Sequence, residues 1–390
     1  MKVLMIHNFY VNRGGEGQSA LKEKWLLEKN GHTVIWYTKD NRRISGYPRL
    51  RRWFLFFTFL YSRSTYKDIR RIAREERPDV AHIHNIWLLI SPSVYYALKR
   101  SSVPIVQSVH NFRYFCINGL ALNNRGEICE KCAGLKLRHA VFGRCYHHSL
   151  LQSLIIAGVL LIHRRLGTFR KIDRFVFPSR FLRDKLTACG IPAQKSVVKA
   201  NFVDLDALCP SQDGEDYAVF MGRIAPEKGL AALIEATSGI PGLQLRIIGD
   251  GPQRSELESM VQEREMEDRV QFLGYFREDS RFDIVKRARC LVFPSECYEN
   301  QPHAILESLA LGVPVIASRI GGNPELIQDG ENGSLFEPGN PADLREKITG
   351  LLAGLQDLST MRRQCRKGLM NRHDEQHAYQ ELVKVYEDVL

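Results

Sequence analysis

Residues 291–322 constrain the fold of this chain more than any other stretch. The apolar run 290–293 predicts a short buried strand, which a polar loop follows. The next segment predicts a helix between Pro302 and Gly312, because proline suits the first turn of a helix and glycine suits its end. A second strand, 313–318, then runs into a pair of glycines. This order is typical of half of a doubly wound α/β sheet, which binds ligands at the carboxyl ends of its strands.

Two acidic residues lie inside this stretch, Glu299 in the loop and Glu307 about one turn into the helix. The helix N-terminus between them carries unpaired N–H groups and a partial positive charge, which suit an anion such as a diphosphate. The acids could accept hydrogen bonds from a sugar on one side and a ribose on the other. A surface loop and a solvated helix explain the two acids alone equally well.

The whole stretch resembles the donor-binding signature of the family-four retaining glycosyltransferases. The matching positions are Pro294-Ser295, Glu299, Glu307, Gly312-Val313-Pro314-Val315 and Gly321-Gly322. The resemblance implies the α/β fold called GT-B, in which two Rossmann-like doubly wound domains face each other across a cleft. It also implies that Glu299 contacts the donor sugar, that Glu307 contacts the nucleotide ribose, and that no metal ion takes part in catalysis.

A second signature lies at residues 222–229, GRIAPEKG. It resembles the family motif in which an arginine and a lysine, here Arg223 and Lys228, hold the diphosphate. The chemistry agrees, because a departing nucleoside diphosphate needs cationic donors where negative charge develops. The alternative is a solvated pair of loop residues.

The first half of the chain adds His110, at the end of a predicted strand, and the glycine-rich loop 11–17. Both resemble family elements, the histidine pointing at the donor sugar and the loop lying against the donor phosphates. His84 fits a cleft position less specifically, and any of these residues could be structural. The predicted catalytic residues are His110, Arg223, Lys228 and Glu299. The predicted donor-binding residues are Gly14, Gly15, Gly222, Gly249, Gly251, Asn300, Gln301, Pro302, His303, Glu307 and Gly322.

The length of 390 residues allows two α/β domains of ordinary size. We predict a first, acceptor-binding domain at 1–200, with a cysteine-rich insertion at about 113–148. A linker is predicted at 201–216 and a donor-binding domain at 217–375. A last helix, 376–390, is expected to pack back on the first domain, and 330–336 is expected to form a hairpin-like turn.

Charge is distributed unevenly along the chain. Residues 1–200 contain 35 Lys and Arg against 12 Asp and Glu, a net +23, and the remainder contains 20 against 32, a net −12, for the total of +11. The basic half is expected to meet something anionic, either a membrane or a nucleic acid, unless it is only a basic surface. The aromatic segment 48–71 and the apolar helix 149–165 suit an interfacial position on a membrane, or burial in the protein.

Four cysteines, Cys116, Cys129, Cys132 and Cys145, lie close together in the sequence, and the two central ones have zinc-knuckle spacing. Clustered thiols in a reducing cytoplasm favour a structural Zn²⁺ over disulfides. Unrelated buried or free thiols are the alternative.

We therefore expect a retaining hexosyltransferase that takes sugar from a nucleoside-diphosphate donor, with UDP or GDP as nucleotide. A polyprenyl-diphosphate-linked acceptor at an anionic membrane surface is expected, with the protein cytoplasmic and peripheral on the inner membrane face. No nucleic acid is expected. The first residues lack the apolar region of a signal peptide. The alternatives are a nucleotide-sugar epimerase of the same fold and a zinc-containing nucleic-acid-binding protein.

Overall fold

The structure is a computed structural model that describes residues 1–11, 14–210, 215–276, 280–354 and 357–390, with the side chains of residues 49–54 outside the description. The chain divides into two compact units. The first unit comprises residues 1–199 with 379–390, and the second comprises residues 200–378. The predicted linker 201–216 thus lies within the second unit, and its residues 211–214 lie outside the described part of the chain.

The first unit is built on a six-stranded parallel sheet of order β2-β1-β3-β4-β5-β6. Its strands are β1 (Lys2–Phe9), β2 (Thr33–Asp40), β3 (Val80–Asn85), β4 (Ile105–Ser108), β5 (Arg174–Phe177) and β6 (Ser196–Val198). Its helices are α1 (Gly15–Lys29), α2 (Arg49–Leu60), α3 (Arg63–Glu76), α4 (Ser93–Arg100), α5 (Arg138–Phe142), α6 (Leu150–Arg165) and α7 (Arg180–Ala188). The strands are short, largely apolar runs because both faces of such a sheet are covered by helices.

The second unit contains another six-stranded parallel sheet, of order β12-β11-β10-β7-β8-β9. Its strands are β7 (Tyr217–Met221), β8 (Gln244–Ile248), β9 (Val270–Gly274), β10 (Cys290–Phe293), β11 (Val315–Ser318) and β12 (Gly333–Phe336). Its helices are α8 (Leu230–Ser238), α9 (Arg254–Glu263), α10 (Ser280–Arg287), α11 (His303–Ala310), α12 (Pro341–Leu352) and α13 (Leu358–Lys367). Buried side chains form a core on each face of this sheet.

The last helix, α14 (Glu375–Glu387), begins in the second unit, and from Tyr379 onwards the chain belongs to the first. Leu382, Val385 and Tyr386 are buried in one cluster with residues of β1, β3 and β4. The Tyr386 hydroxyl also lies 2.7 Å from His82 Nδ1. The last helix therefore completes the core of the first unit.

Three segments differ from the sequence-based expectation. The hairpin-like turn predicted at 330–336 is wrong, because β12 joins the sheet as a parallel edge strand beside β11. The aromatic segment 48–71 forms two helices, α2 and α3, separated at Ser62, whose hydroxyl accepts from the Thr65 amide as an N-cap. Helix α13 was not predicted. In the part of the chain that the structure describes, no helix is both long and apolar enough to cross a bilayer.

Candidate functional site

The strand order of the second unit reverses beside β7, and such a reversal is where a ligand-binding crevice is expected. From β7 the chain continues to β8 and β9 on one side, and then returns to β10 on the other side. The loops that follow the carboxyl ends of β7 and β10 therefore diverge from each other. Open parallel sheets bind ligands between such loops. These two loops carry the two signatures that the sequence singled out.

Lys228 and Glu299 come from these two loops and form the charged centre of the crevice. Lys228 Nζ lies 2.5 Å from Glu299 Oε1, and the Ser295 hydroxyl donates to the same carboxylate oxygen at 2.7 Å. Burial opposes the charge on Lys228, but the neighbouring Glu299 carboxylate outweighs it, so the pKa of Lys228 lies above its ordinary value. The lysine is therefore a fixed cation. Ser295 belongs to the donor-binding signature, but the sequence gave it no role of its own in the site.

Two glycines allow the loops around the crevice to approach each other. Gly321 has φ +61°, and a Cβ there would lie 2.2 Å from the Glu299 carbonyl oxygen. The amide of the next residue, Gly322, donates to that same oxygen at 2.6 Å. Gly249 has φ +142°, and its Cβ would lie 1.8 Å from the carbonyl oxygen of Gly222. Both positions thus need glycine for conformation and for space.

Glu307 lies in the middle of α11 and is 4% exposed. Its carboxylate is 3.8 Å from the guanidinium of Arg281 in α10, a distance that makes a loose ion pair. Arg281 lies shortly after residues 277–279, which are outside the described part of the chain, and sequence reasoning missed it.

The other predicted residues lie between Glu299 and the start of α11. Pro302 caps α11, and His303 is the first residue of that helix and is buried. Gln301 uses its side-chain oxygen to accept from the Asn201 amide at 2.5 Å, and its carbonyl accepts from the Asn201 side chain. The side-chain oxygen of Gln301 is thus engaged with the chain that leads into the second unit, whereas Asn300 stands beside Glu299 in the loop.

Arg223 lies after β7, where its guanidinium bonds the carboxylate of Glu227. Its side chain is 44% exposed. This pairing holds the arginine along the same loop that carries Lys228, with part of its surface open. Gly251 lies in the turn after β8, where a Cβ would be 2.1 Å from the Ile224 carbonyl oxygen, so the turn packs directly on this loop.

His110 belongs to the first unit, where it is part of a buried cluster. His84 Nδ1 lies 3.2 Å from His110 Nε2, and the two rings are stacked. His84 Nε2 is 3.4 Å from the Glu23 carboxylate, and His82 Nδ1 is 3.6 Å from it. Burial is the main cause that lowers the pKa of His110 and of His82 to about 4. These histidines are therefore neutral at neutral pH.

Lys199 explains why the cluster is not a convincing metal site. Among the described residues, Glu23, His82 and His84 form the group of possible ligands whose atoms all lie within 4.8 Å of one another. The Lys199 ammonium sits 2.7 Å from the Glu23 carboxylate. Burial alone would raise the pKa of Glu23, but Lys199 and then His82 outweigh it and lower that pKa. A cation already neutralises the carboxylate.

Sequence reasoning singled out His84 and His110 but not Glu23, His82 or Lys199. One signal was available, because residues i and i+2 of a strand face the same side, which places His82 and His84 together. Glu23 on α1 and Lys199 after β6 carry no such signal. Only the fold brings them to this point.

Beside His110 lies a rim of polar side chains. Asn111 donates to Glu16 at 3.2 Å, and the Arg113 amide donates to the Asn111 side chain at 3.1 Å. The Arg113 guanidinium is 3.8 Å from the centre of the Trp87 ring. Burial raises the pKa of Glu16 to about 7, although Arg113 opposes this.

Gly14 and Gly15 begin α1 next to this rim, and both are exposed, whereas Asn12 and Arg13 of the same loop lie outside the described residues.

The four cysteines of the insertion converge in one lobe of the first unit. Burial, and next the neighbouring Cys116, raise the pKa of Cys132 to about 12, and Cys145 and Cys129 add to this. Cys129, Cys132 and Cys145 line one open depression together with His139. All four cysteines are among the described residues, and no three of their sulfur atoms come within 4.8 Å of one another. The lobe gathers the thiols more loosely than the 2.3 Å Zn–S bonds of a metal-bound set require.

Two family models match this chain, one in each half. The family model described as Glycosyltransferase Family 4 matches residues 13–207, which is half of the chain. The model described as Glycosyl transferases group 1 matches residues 209–368. The chain belongs to glycosyltransferase family 4. The predicted family and the predicted α/β fold with two Rossmann-like domains, GT-B, are thereby confirmed.

Individual relatives of this chain share limited sequence identity with it. An uncharacterised glycosyltransferase of Methanocaldococcus jannaschii is 31% identical over 180 residues, 46% of this chain and 50% of the relative. The alpha-monoglucosyldiacylglycerol synthase of Streptococcus pneumoniae is 24% identical over 365 residues, 85% of this chain and 74% of the relative. The chain thus spans about half the length of the first relative and three quarters of the second.

A solved structure shows the same fold. The crystal structure of Anabaena HepE in complex with UDP-glucose matches with a TM-score of 0.70 at 19% identity, and the match covers all of both chains.

Proposed function

We propose that this family 4 glycosyltransferase transfers a hexose-type sugar, with retention, from a nucleoside-diphosphate sugar to a lipid-linked acceptor. The observation that carries the proposal is the crevice between the loops after β7 and β10, with Lys228 and Glu299 in contact at its centre. A fixed cation beside a carboxylate suits a ligand that has both an anionic diphosphate and sugar hydroxyls.

In this proposal each predicted catalytic residue, and Glu307, has a role in the transfer. Lys228 and Arg223 stabilise the negative charge that develops on the diphosphate as the glycosidic bond breaks. Glu299 accepts hydrogen bonds from hydroxyls of the hexose, and Ser295 and Lys228 hold its carboxylate in place. Glu307 accepts from the ribose. His110 of the first unit contacts the sugar as a neutral imidazole, a state that its lowered pKa favours.

The relatives support the donor class and the acceptor class. The Anabaena structure contains UDP-glucose, which supports a nucleoside-diphosphate sugar for this chain as well. The pneumococcal relative is named for a glucosylated diacylglycerol, which supports a lipid acceptor. The basic first half supports contact with an anionic membrane surface.

The donor proposal is tested by thermal unfolding in the presence of UDP, GDP, ADP and CMP, each alone and as nucleotide sugars. A ligand that binds only the folded state raises the melting temperature. We expect a shift with one nucleoside diphosphate and its loss in Glu307→Ala. Glu263→Ala, an exposed carboxylate on α9, is the matched control and keeps the shift. No shift with any nucleotide at millimolar concentration would overturn the donor site.

We also propose that the cysteine lobe holds a structural zinc ion. Four thiols are the donor set that tetrahedral Zn²⁺ prefers, and a bound ion would draw the sulfur atoms together and fix the lobe. The purified protein is expected to contain one zinc per chain by elemental mass spectrometry. Cys132→Ser should lose it, whereas Cys209→Ser, an exposed cysteine of the second unit, should retain it. Equal zinc content in the two variants would exclude this site.

A further inference from the structure

A chain of polar atoms connects the buried ion pair of the first unit to His110. Glu23 of α1, His84 of β3 and Lys199 after β6 are each at most 4% exposed, whereas His110 after β4 is partly exposed. His84 Nε2 lies 3.4 Å from Glu23 Oε2, and His84 Nδ1 lies 3.2 Å from His110 Nε2. One imidazole therefore separates a buried charge from the predicted catalytic histidine.

Two atoms of this chain, Glu23 Oε2 and His84 Nε2, have only each other as a suitable partner. The other carboxylate oxygen, Oε1, accepts from the Lys199 ammonium at 2.7 Å. His82 Nδ1 lies 3.6 Å from Glu23 Oε2, but the Tyr386 hydroxyl engages that nitrogen at 2.7 Å. Among the described residues, neither Glu23 Oε2 nor His84 Nε2 has a hydrogen-bond partner elsewhere. The 3.4 Å contact is long, but a proton on His84 Nε2 satisfies both buried atoms.

The charges along the chain decide which atom donates. Burial opposes the charge on Glu23, but Lys199 outweighs it and lowers the pKa of this carboxyl. Burial lowers the pKa of His84 well below its ordinary value and that of His110 to about 4, so both rings are neutral. A neutral imidazole has one N–H donor and one acceptor nitrogen, whereas an ionised carboxylate can only accept. The N–H of His84 is therefore on Nε2, towards Glu23.

This orientation determines the tautomer of His110. With its proton on Nε2, His84 presents Nδ1 to His110 as an acceptor, so His110 donates from Nε2. The Nδ1 of His110 then carries no proton and accepts hydrogen bonds. The reverse order would set the lone pair of His84 Nε2 against the Glu23 carboxylate at 3.4 Å, a repulsion that the buried surroundings strengthen.

We propose that Glu23 and His84 are positioning residues that hold His110 in the tautomer with Nε2 protonated and Nδ1 accepting. We call this arrangement the Glu23–His84–His110 relay. It rests on the proposed function for the contact between His110 and the donor sugar. At that contact it adds a selectivity, because the sugar group that meets Nδ1 must donate a hydrogen bond. A hexose hydroxyl can do so, and the carboxylate of a hexuronic acid cannot.

The tautomer is measured by NMR of the full-length protein with isotope-labelled histidine, near neutral pH and without any ligand. Protonated and unprotonated ring nitrogens resonate far apart, and their couplings to the ring carbon-bound hydrogens distinguish Nδ1 from Nε2. The signals lost in His84→Phe and in His110→Phe assign the two rings. We expect His110 of the wild type to carry its proton on Nε2. A proton on His110 Nδ1 would overturn the relay.

Glu23→Gln tests what sets the proton order. The glutamine amide has the shape of the carboxylate, and its carbonyl oxygen can still accept from Lys199. Its N–H group then faces His84 Nε2 as a donor, so the order should reverse and His110 should carry its proton on Nδ1. Glu28→Gln, on the same helix and also paired with a lysine, is the matched control and should leave His110 unchanged. An unchanged tautomer in Glu23→Gln would overturn the role of Glu23.

His84→Phe gives a second test, which stands even if Glu23→Gln does not fold. It keeps a ring at the buried position and removes the bridge, so His110 should show a mixture of its two tautomers. A single tautomer with Nε2 protonated in His84→Phe would overturn the role of His84.

Steady-state transfer separates the relay from the proposed function. Glu23→Gln should lower kcat/KM for a hexose donor by about tenfold, the effect of one hydrogen bond. A reversed tautomer with unchanged kcat/KM would overturn the selectivity at Nδ1. If the wild type has the expected tautomer but transfers sugar from no donor, the proposed function fails and the relay stands. If it transfers sugar with His110 protonated on Nδ1, the relay fails and the proposed function stands.

Discussion

Lys228 and Glu299 show how one residue pair serves both structure and chemistry. The pair is partly buried, with the two side chains 20% and 14% exposed. In such a site the carboxylate keeps the lysine charged, and the lysine keeps the carboxylate oriented. A diphosphate that arrives at this lysine therefore meets a cation that is already in place.

Lys228→Ala should lower kcat by about a hundredfold or more, because it removes a cation from the developing charge of the leaving diphosphate. The measurement is steady-state transfer with the donor identified by the thermal screen. Lys347→Ala, which removes a partly exposed helix lysine paired with Asp343, should leave kcat unchanged. A wild-type kcat in Lys228→Ala would remove this residue from the mechanism.

The buried histidines should make the first unit sensitive to acid. The pKa of His82 and of His110 is about 4 in the folded protein and about 6.5 when unfolded. Between these pH values the unfolded chain binds more protons, so their stabilising contribution is present above pH 6.5 and is lost as pH falls towards 4. The slope is up to about 1.4 kcal/mol per pH unit for each histidine.

This prediction is checked by the melting temperature between pH 7 and pH 4.5. The ionisable groups that face these rings are His7, His84, Glu23, Lys199 and Tyr386. His82→Asn removes one titrating ring and should flatten the decline of the melting temperature with falling pH. Parallel curves for the variant and the wild type would show that this histidine does not titrate in the expected range.

At the scale of elements, the loop after β11 determines the position of the loop after β10. Gly321 needs φ +61° and leaves no room for a Cβ, which would lie 2.2 Å from the Glu299 carbonyl. Gly321→Ala should therefore displace Glu299 and lower both stability and donor binding. Gly242→Ala is the matched control, since Gly242 has φ +76° but nothing within 4 Å.

Gly242→Ala measures the effect of positive φ alone, which should lower the free energy of unfolding by about 1 kcal/mol. Gly321→Ala should cost at least about 2 kcal/mol more, because backbone must move to relieve the contact. Chemical denaturation and the nucleotide-induced melting shift give the two readouts. Equal destabilisation by the two substitutions would mean that the close approach to Glu299 is unimportant.

Among the elements, local patterns predicted the buried strands best. The run that became β10 and the proline and glycine around α11 are strong local signals, and the structure has a strand and a helix there. The edge strand β12 was misjudged because its glycines suggest a turn, whereas pairing with β11 is a long-range choice. Helix α13 was missed because only Met361 and Cys365 are buried among its mainly polar residues.

At the scale of the whole molecule, the charge asymmetry and the exposed apolar helices lead to one prediction. The protein should sediment with vesicles that contain anionic lipid, and less so as salt is raised, because exposed charges are screened. Leu154 on α6 is 56% exposed. Leu154→Gln should weaken this binding by about tenfold or more, since each buried leucine contributes about 1.5–3 kcal/mol.

The matched control for the vesicle experiment is Leu21→Gln on α1, which is 43% exposed. It should bind vesicles as the wild type does. Vesicles without anionic lipid separate the two contributions, because they retain the apolar contact and lose the attraction of charge. Equal loss of vesicle binding in the two variants, or vesicle binding that does not change with salt concentration, would contradict a specific membrane-facing surface.

The sequence by itself determined the two α/β domains and the donor signatures, because strand periodicity, helix ends and glycine loops are local patterns. It also determined which residues of the signatures lie on neighbouring loops. Tertiary structure alone decided that Glu23 and Lys199, 176 residues apart in the chain, neutralise each other behind His84 and His110. It alone decided that α2 and α6 are joined through His163 and the Leu60 carbonyl, because long-range packing has no signature in the local sequence.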